Sequence, residues 1–165
     1  MSWQTLALES AIYCLVIFCV LMAIVLKDGA ISQIHNYPKP IYDRALELGL
    51  VTEEQVRRNR LRYKLIGAGV MIVLPLVIIL GINHARTFWD GFWQAYILFN
   101  AWSWFDALVM DCAYFCHARI WVIPGTEDLV DAYHDYWFHL KYAVYGLAFI
   151  AIPAALVGVI AMLLA

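Results

Sequence analysis

Three stretches of this 165-residue chain run without a charge for long enough to cross a lipid bilayer: residues 10–26, 65–82 and 142–165. A helix needs roughly 20 apolar residues, each rising ~1.5 Å, to span a ~30 Å hydrocarbon core. Starting the first run at Leu6, with Glu9 at the interface, brings it to that length. A fourth stretch, residues 91–116, is rich in aromatics but carries Asp106 and Asp111. The alternative for it is a buried soluble helix, and the rest of the chain offers no soluble core to pack that against. The expected fold is all-α. It is a polytopic membrane protein, with four transmembrane helices in a bundle at about residues 6–26, 63–82, 90–116 and 141–164. Residues 1–165 form one membrane domain, with a helical hairpin in a cytoplasmic loop, residues 27–62, and an interfacial helix before the last span.

Composition excludes other classes. The chain is 64% hydrophobic and 15% charged, with mean hydropathy +0.72. A soluble domain sits nearer about 45–50% apolar with about a quarter charged. An ordinary soluble enzyme and a disordered chain are therefore excluded. The net charge of −2 leaves no basic footprint, so no nucleic-acid partner is expected.

The Lys and Arg residues set an orientation. Lys27, Lys39, Arg44, Arg57, Arg58, Arg60, Arg62 and Lys64 lie between the first two runs. Only Arg86 follows the second, while Arg119 and Lys141 follow the third. The positive-inside rule places the first and third connections in the cytoplasm and both termini outside the plasma (inner) membrane. Trp3, Trp89 and Trp93 then mark the outer interface, and Trp121 and Trp137 the inner one. The start, Met1-Ser2-Trp3-Gln4, lacks the positive charge of a cleaved signal, so the first run reads as a reverse signal anchor.

The long loop has its own punctuation. Pro40 suits the first turn of a helix through Ile41, Ala45 and Leu48, which Gly49 stops. Thr52-Glu53-Glu54-Gln55 has capping-box spacing and opens a second helix that enters the second span. Arg57, Arg58, Arg60 and Arg62 fall on that helix at headgroup depth. They serve either as topogenic anchoring charge or as a holder for an anionic headgroup, with Trp104 a further substrate-binding candidate. Cys14, Cys19, Cys112 and Cys116 form no C-x-x-C motif and read as small packing residues. Ala151/Ala155 and Ala154/Gly158 are small-residue pairs suited to close helix packing, within the bundle or in a homo-oligomer. His35 reads as a loop histidine and His84 stands alone.

Acids inside a span carry the most functional information. Asp111 lies roughly 9 Å inside His117 along the helix, and Asp106 about 16 Å inside. On an α-helix Asn100, Ala107 and Asp111 share one face, and Asp106 points about 140° away from Asp111. Each Asp either acts as protonated interhelical glue or holds a proton or cation.

A second constellation follows the third span. Pro124-Gly125 makes a turn and Thr126 suits an N-cap. On a helix running onward, Glu127, Asp131, Asp135 and His139 step by four, with His134 beside them. Such a stripe is either the polar face of an interfacial helix or a set of acid/base groups or ligands for a divalent metal ion, to which His117 adds a further ligand. The runs from Ile123 to Glu127, Tyr133 to His139 and Trp104 to Asp111 together resemble a stretch found in uncharacterised small four-span bacterial membrane proteins, over roughly residues 100–141. That resemblance implies the architecture and attaches no activity.

The leading expectation is an enzyme at the cytoplasmic leaflet, acting on a lipid-linked or amphipathic substrate. Asp106, Asp111, His134, Asp135 and His139 are its candidate catalytic groups, and membrane lipids its expected partners. The alternatives are an oligomeric ion or small-molecule transporter using Asp106, or an accessory subunit of a membrane complex.

Overall fold

The computed structural model describes residues 2–165, which are all-helical, with no strand among them. Helix α1 (Trp3–Asp28) opens on Ser2, whose hydroxyl accepts from the Thr5 N–H, and ends at Gly29, whose φ of 75° suits a residue without a Cβ. A 3-10 helix (Ala30–Asn36) follows and packs on α1 and α3. Helix α2 (Lys39–Glu47) starts with Pro40 in its first turn and is followed by Gly49 at φ 68°. The expected capping box is present: Thr52 Oγ1 accepts from Gln55 N–H at 3.2 Å, and Gln55 Oε1 accepts from Thr52 N–H at 2.8 Å. It opens α3 (Glu53–Leu76), which continues as a π-helical segment (Val77–Ile82).

Pro75 sits inside α3 and cannot donate to the Met71 carbonyl one turn earlier. The buried Tyr13 hydroxyl donates to that carbonyl instead, at 3.2 Å, and ties α1 to α3. Helix α4 (Phe88–Phe105) is capped by Thr87 and continues as a ten-residue π-helical segment (Asp106–Phe115). Helix α5 (Val130–Tyr133), helix α6 (Tyr136–Phe149) and helix α7 (Ala151–Leu163) complete the chain. Pro153 falls in the first turn of α7, where a missing N–H costs nothing, and a break at Ile150 separates α6 from α7.

Three helical stretches are long and apolar enough to cross a membrane: Trp3–Asp28, Glu53–Ile82 and Val130–Leu163. About a fifth of each apolar window is buried, so most of their apolar surface faces outward. The helix from Phe88 is not one of the three. Gln94, Asn100, Asp106 and Asp111 dilute its apolar character. It is also the one the others cover: α1, α6, α7 and the π end of α3 all pack on α4.

The predicted helix from Thr126 to His139 does not form as one piece. Thr126 is buried, its hydroxyl donating to Ile123 O and lying 2.7 Å from the Tyr133 hydroxyl, so it braces a turn rather than capping a helix. The chain is helical over Val130–Tyr133, breaks at His134 and Asp135, and restarts with the Asp135 carboxylate accepting from Phe138 N–H at 2.9 Å. A short acidic side chain that bonds the backbone ahead of it favours a cap over a helix interior.

The helices enclose two apolar clusters. One joins Tyr13, Ile17, Ile79, Leu98, Trp102, Ala154 and Val157. The other joins Val25, Ile34, Tyr37, Ile41, Val56, Phe115, Trp121 and Tyr133, at the end where residues 29–62 and 116–135 meet. Phe105 packs on both.

Helices α4 and α7 cross at glycine distance. A Cβ on Gly91 would lie 2.8 Å from Ala161 Cβ and 3.0 Å from Gly158 Cα, and one on Gly158 would lie 2.7 Å from the Phe88 carbonyl. Of the small-residue pairs, Ala154/Gly158 is therefore used within the chain. Gly91→Leu is expected to lower stability in detergent by about 1–3 kcal/mol, because backbone cannot move aside for the added carbons. Gly67 faces open space in mid-helix, and Gly67→Ala is expected to raise stability by up to about 1 kcal/mol. Thermal unfolding of both variants beside the parent protein measures the contrast.

Candidate functional site

A cavity of about 430 Å³ opens against the second apolar cluster, whose Tyr37, Met110, Phe115 and Trp121 line it. The π segment that follows α4 supplies Asp106, Met110 and Asp111; α6 supplies Phe138, His139 and Tyr142; the 3-10 helix supplies Gln33 and His35. Tyr37 and Trp121 close the loop end, held together by a 2.8 Å hydrogen bond from the Tyr37 hydroxyl to the Trp121 carbonyl.

The π geometry changes which side chains meet. In a π-helix the N–H of residue i+5 bonds the carbonyl of residue i, as Cys116 N–H does with Asp111 O at 3.0 Å. Residues five apart then stack on one side. Asp106 and Asp111, about 140° apart on an α-helix, instead both line this cavity. The α-helical reckoning of their separation is corrected by that wider turn. Asn100, expected on the same face, bonds its own helix through Tyr96 O at 2.8 Å and does not line the cavity.

The central contact is an Asp–His pair. His139 Nδ1 lies 3.0 Å from Asp111 Oδ2, within ion-pair distance. The His139 side chain is 5% exposed and that of Asp111 31%, so the carboxylate reaches the cavity while the imidazole backs it. The imidazole is wedged between Phe115 and Phe138, each with its ring centroid 5.1 Å away. The other ring nitrogen, Nε2, is buried and has no hydrogen-bond partner among the described residues. Gln33 Nε2, His35 Nδ1 and Trp121 Nε1 are likewise buried without partners among the described residues, and all three residues line the cavity. Four unsatisfied polar atoms around one space are unusual, since each costs free energy unless something bonds it.

A second cavity, about 220 Å³, adjoins the first. Leu21, Gln33, His35, Asn36 and Asp106 line both, and Tyr63, Lys64 and Trp102 line the second alone. Asp106 thus stands in the partition between them.

The remaining predicted site residues lie elsewhere. His117 is exposed, with its Nε2 3.2 Å from the Tyr136 hydroxyl and its ring centroid 5.3 Å from that of His134. His134 Nδ1 is taken by Val130 O at 2.9 Å. Asp135 is the α6 cap, and Glu127 accepts from Gly125 N–H at 2.8 Å. Asp131 is exposed on α5. The expected metal set of Glu127, Asp131, Asp135, His139 and His117 is corrected accordingly. The helix break scatters the stripe, and no three His, Cys, Asp or Glu side chains among the described residues gather as a ligand set. His134 and Asp135 bond local backbone rather than entering the cavity.

Arg57, Arg58, Arg60 and Arg62 are exposed on α3 outside the main cavity. Arg57 and Arg60 line a shallow groove with Glu53 and Glu54, and Arg62 lies 3.7 Å from Asp28. Trp104 is half-buried and does not line the main cavity.

Sequence reasoning passed over His35, Gln33 and Tyr37. Their signal is the absence of any Lys, Arg, Asp or Glu between Asp28 and Lys39, in a loop otherwise dense with charge. Uncharged polar residues with buried neighbours mark a segment that packs inward.

Burial, reinforced by the Arg60 and Lys64 charges, pushes the His35 imidazole down to about 4. Between that value and its ordinary 6.5 the unfolded chain binds a proton that the folded chain refuses. The stabilisation is complete above pH 6.5 and drains away as pH falls toward 4. His35→Gln is expected to flatten that part of the pH–stability curve, read by thermal unfolding in detergent from pH 7 down to 4.

The chain matches no protein-family model, and neither a curated protein nor a solved structure matches it, so the side chains around the cavity carry the functional argument by themselves.

Proposed function

We propose that the chain is a four-span membrane bundle with both termini outside the plasma membrane, and that its Asp111–His139 cavity performs acid/base chemistry on a lipid-linked or amphipathic substrate. One observation carries this reading. The Asp111 carboxylate stands 3.0 Å from His139 Nδ1, and the buried Nε2 is left without a partner in a residue that lines the cavity. That is how a general base is oriented: the anchored nitrogen sets the tautomer and the free one takes the proton.

In the proposed step Nε2 accepts a proton from water or a substrate hydroxyl, and Asp111 stabilises the imidazolium that forms. Phe138 is less buried than Phe115 and is the ring that swings aside to admit the reacting group. The Tyr142 and Phe138 side of the cavity receives the apolar part of the substrate. The basic run on α3, at the cytoplasmic headgroups in this orientation, enriches anionic lipid beside the entrance.

The test is turnover. The protein, reconstituted in vesicles of polar lipid from its own host membrane, is expected to convert a lipid-soluble component, followed by mass spectrometry. His139→Ala and Asp111→Asn are each expected to slow conversion by about 10²-fold or more. Equal conversion by parent and His139→Ala protein overturns the reading.

The position of Asp106 between two cavities favours one second reading, an oligomeric ion or small-molecule transporter in which Asp106 carries the ion or proton. Ion flux into proteoliposomes that Asp106→Asn abolishes, without lipid conversion by the parent protein, selects it. Flux that survives Asp106→Asn removes it.

A further inference from the structure

We propose that the main cavity recognises a zwitterionic aminoalkyl headgroup: an ammonium close to an oxygen acceptor, carried on an amphiphile. The inference rests on the reading of this cavity as a substrate site and names the class of substrate.

The lining is chemically lopsided. It holds two carboxylates, Asp106 and Asp111, and no Lys or Arg among the described residues. Asp111 has the His139 imidazole 3.0 Å away, while Asp106 has no ion-pair partner among the described residues. A compact metal ion would need three or more donors drawn together, and the described residues gather no such set. A larger, softer cation suits what is there. Phe115 and Trp121 line the same space beside Phe138 and Tyr142, whose rings already hold the Lys141 ammonium at 4.8 Å and 5.1 Å, and aromatic faces attract an ammonium that is partly stripped of water. The volume of about 430 Å³ falls within the range of small-molecule sites and exceeds what a bare ion needs.

The ligand must also present oxygen. Trp121 Nε1 and Gln33 Nε2 are donors, each buried within about one twentieth of full exposure, and neither has an acceptor among the described residues. An indole N–H can only donate. A simple alkylammonium would leave both unsatisfied, and a purely anionic head would meet two carboxylates with no Lys or Arg in the lining. An ammonium separated by a short linker from a phosphate, ester or hydroxyl oxygen satisfies both halves. Tyr142 of α6 lines the cavity and is exposed, as is Tyr145 further along the same helix, so the chain of an amphiphile can trail outward along that helix.

The experiment compares two lysophospholipids with the same acyl chain, one with an ethanolamine head and one with a glycerol head. Each is titrated into the full-length protein in maltoside micelles, with thermal unfolding and calorimetry as readouts. The ethanolamine form is expected to bind about ten-fold tighter, and Asp106→Asn and Asp111→Asn to erase that preference while chain-driven binding remains. Trp121→Phe, which keeps the ring but removes the donor, is expected to weaken both lysolipids equally. Stabilisation by free phosphoethanolamine supports recognition of a soluble head, and its absence supports recognition at the lipid. Equal affinity for the two heads in the parent protein overturns the inference without any variant, as does a preference that survives both Asp→Asn changes. Preference without turnover sinks the enzymatic reading alone, and turnover without preference sinks this inference alone.

Discussion

Polar side chains on a helix set among apolar ones need cover, and the other helices pack over the one that carries Gln94 and Asn100 and leads into Asp106 and Asp111. Helices α1, α6 and α7 and the π end of α3 pack on α4 and turn their own apolar surfaces outward. The closest approach is made by Gly91, Gly158 and Ala161, residues that let two backbones come together without side chains between them. Without a strong hydrophobic drive between helices in lipid, such close van der Waals packing is what holds them.

The second determinant is the change of helical pitch at Asp106. Before it, α4 follows the ordinary α repeat and its aromatic side chains stack along the helix, as Phe92 does with Phe88 and Tyr96. After it, the wider turn brings Asp106 and Asp111 to one cavity and sets Asp111 against His139. π-helical stretches are uncommon and concentrate at functional sites. Here the reason is geometric, because the same sequence wound as an α-helix would split its acids between two faces.

Much of the scaffold was legible from residues alone. Charge-free runs located three apolar helices, and the capping box at Thr52 and Gln55 and the glycine stop at Gly49 fall where their chemistry requires. Asp111 and His139 were recognisable as chemistry out of place, although their meeting was not. Three features escaped for physical reasons. Pitch is not written in any single residue, so the shared face of Asp106 and Asp111 was invisible. The buried bonding of Thr126 with Tyr133 outweighed a strong capping signal, and with it went the continuous stripe from Glu127 to His139. His35 gained its place from tertiary packing of a segment whose local sequence reads as loop.

The hydrogen bond from Tyr37 to Trp121 joins residues 84 positions apart and forms one wall of the main cavity. Arg44 and Asp128, also 84 apart and 3.4 Å from each other, repeat the link at the surface. The pocket therefore has a birth order. On a growing chain Tyr37 must wait for more than half of the protein to be made before its acceptor exists, and His139 arrives later still. Until then the acids of the π segment stand beside an unfinished wall.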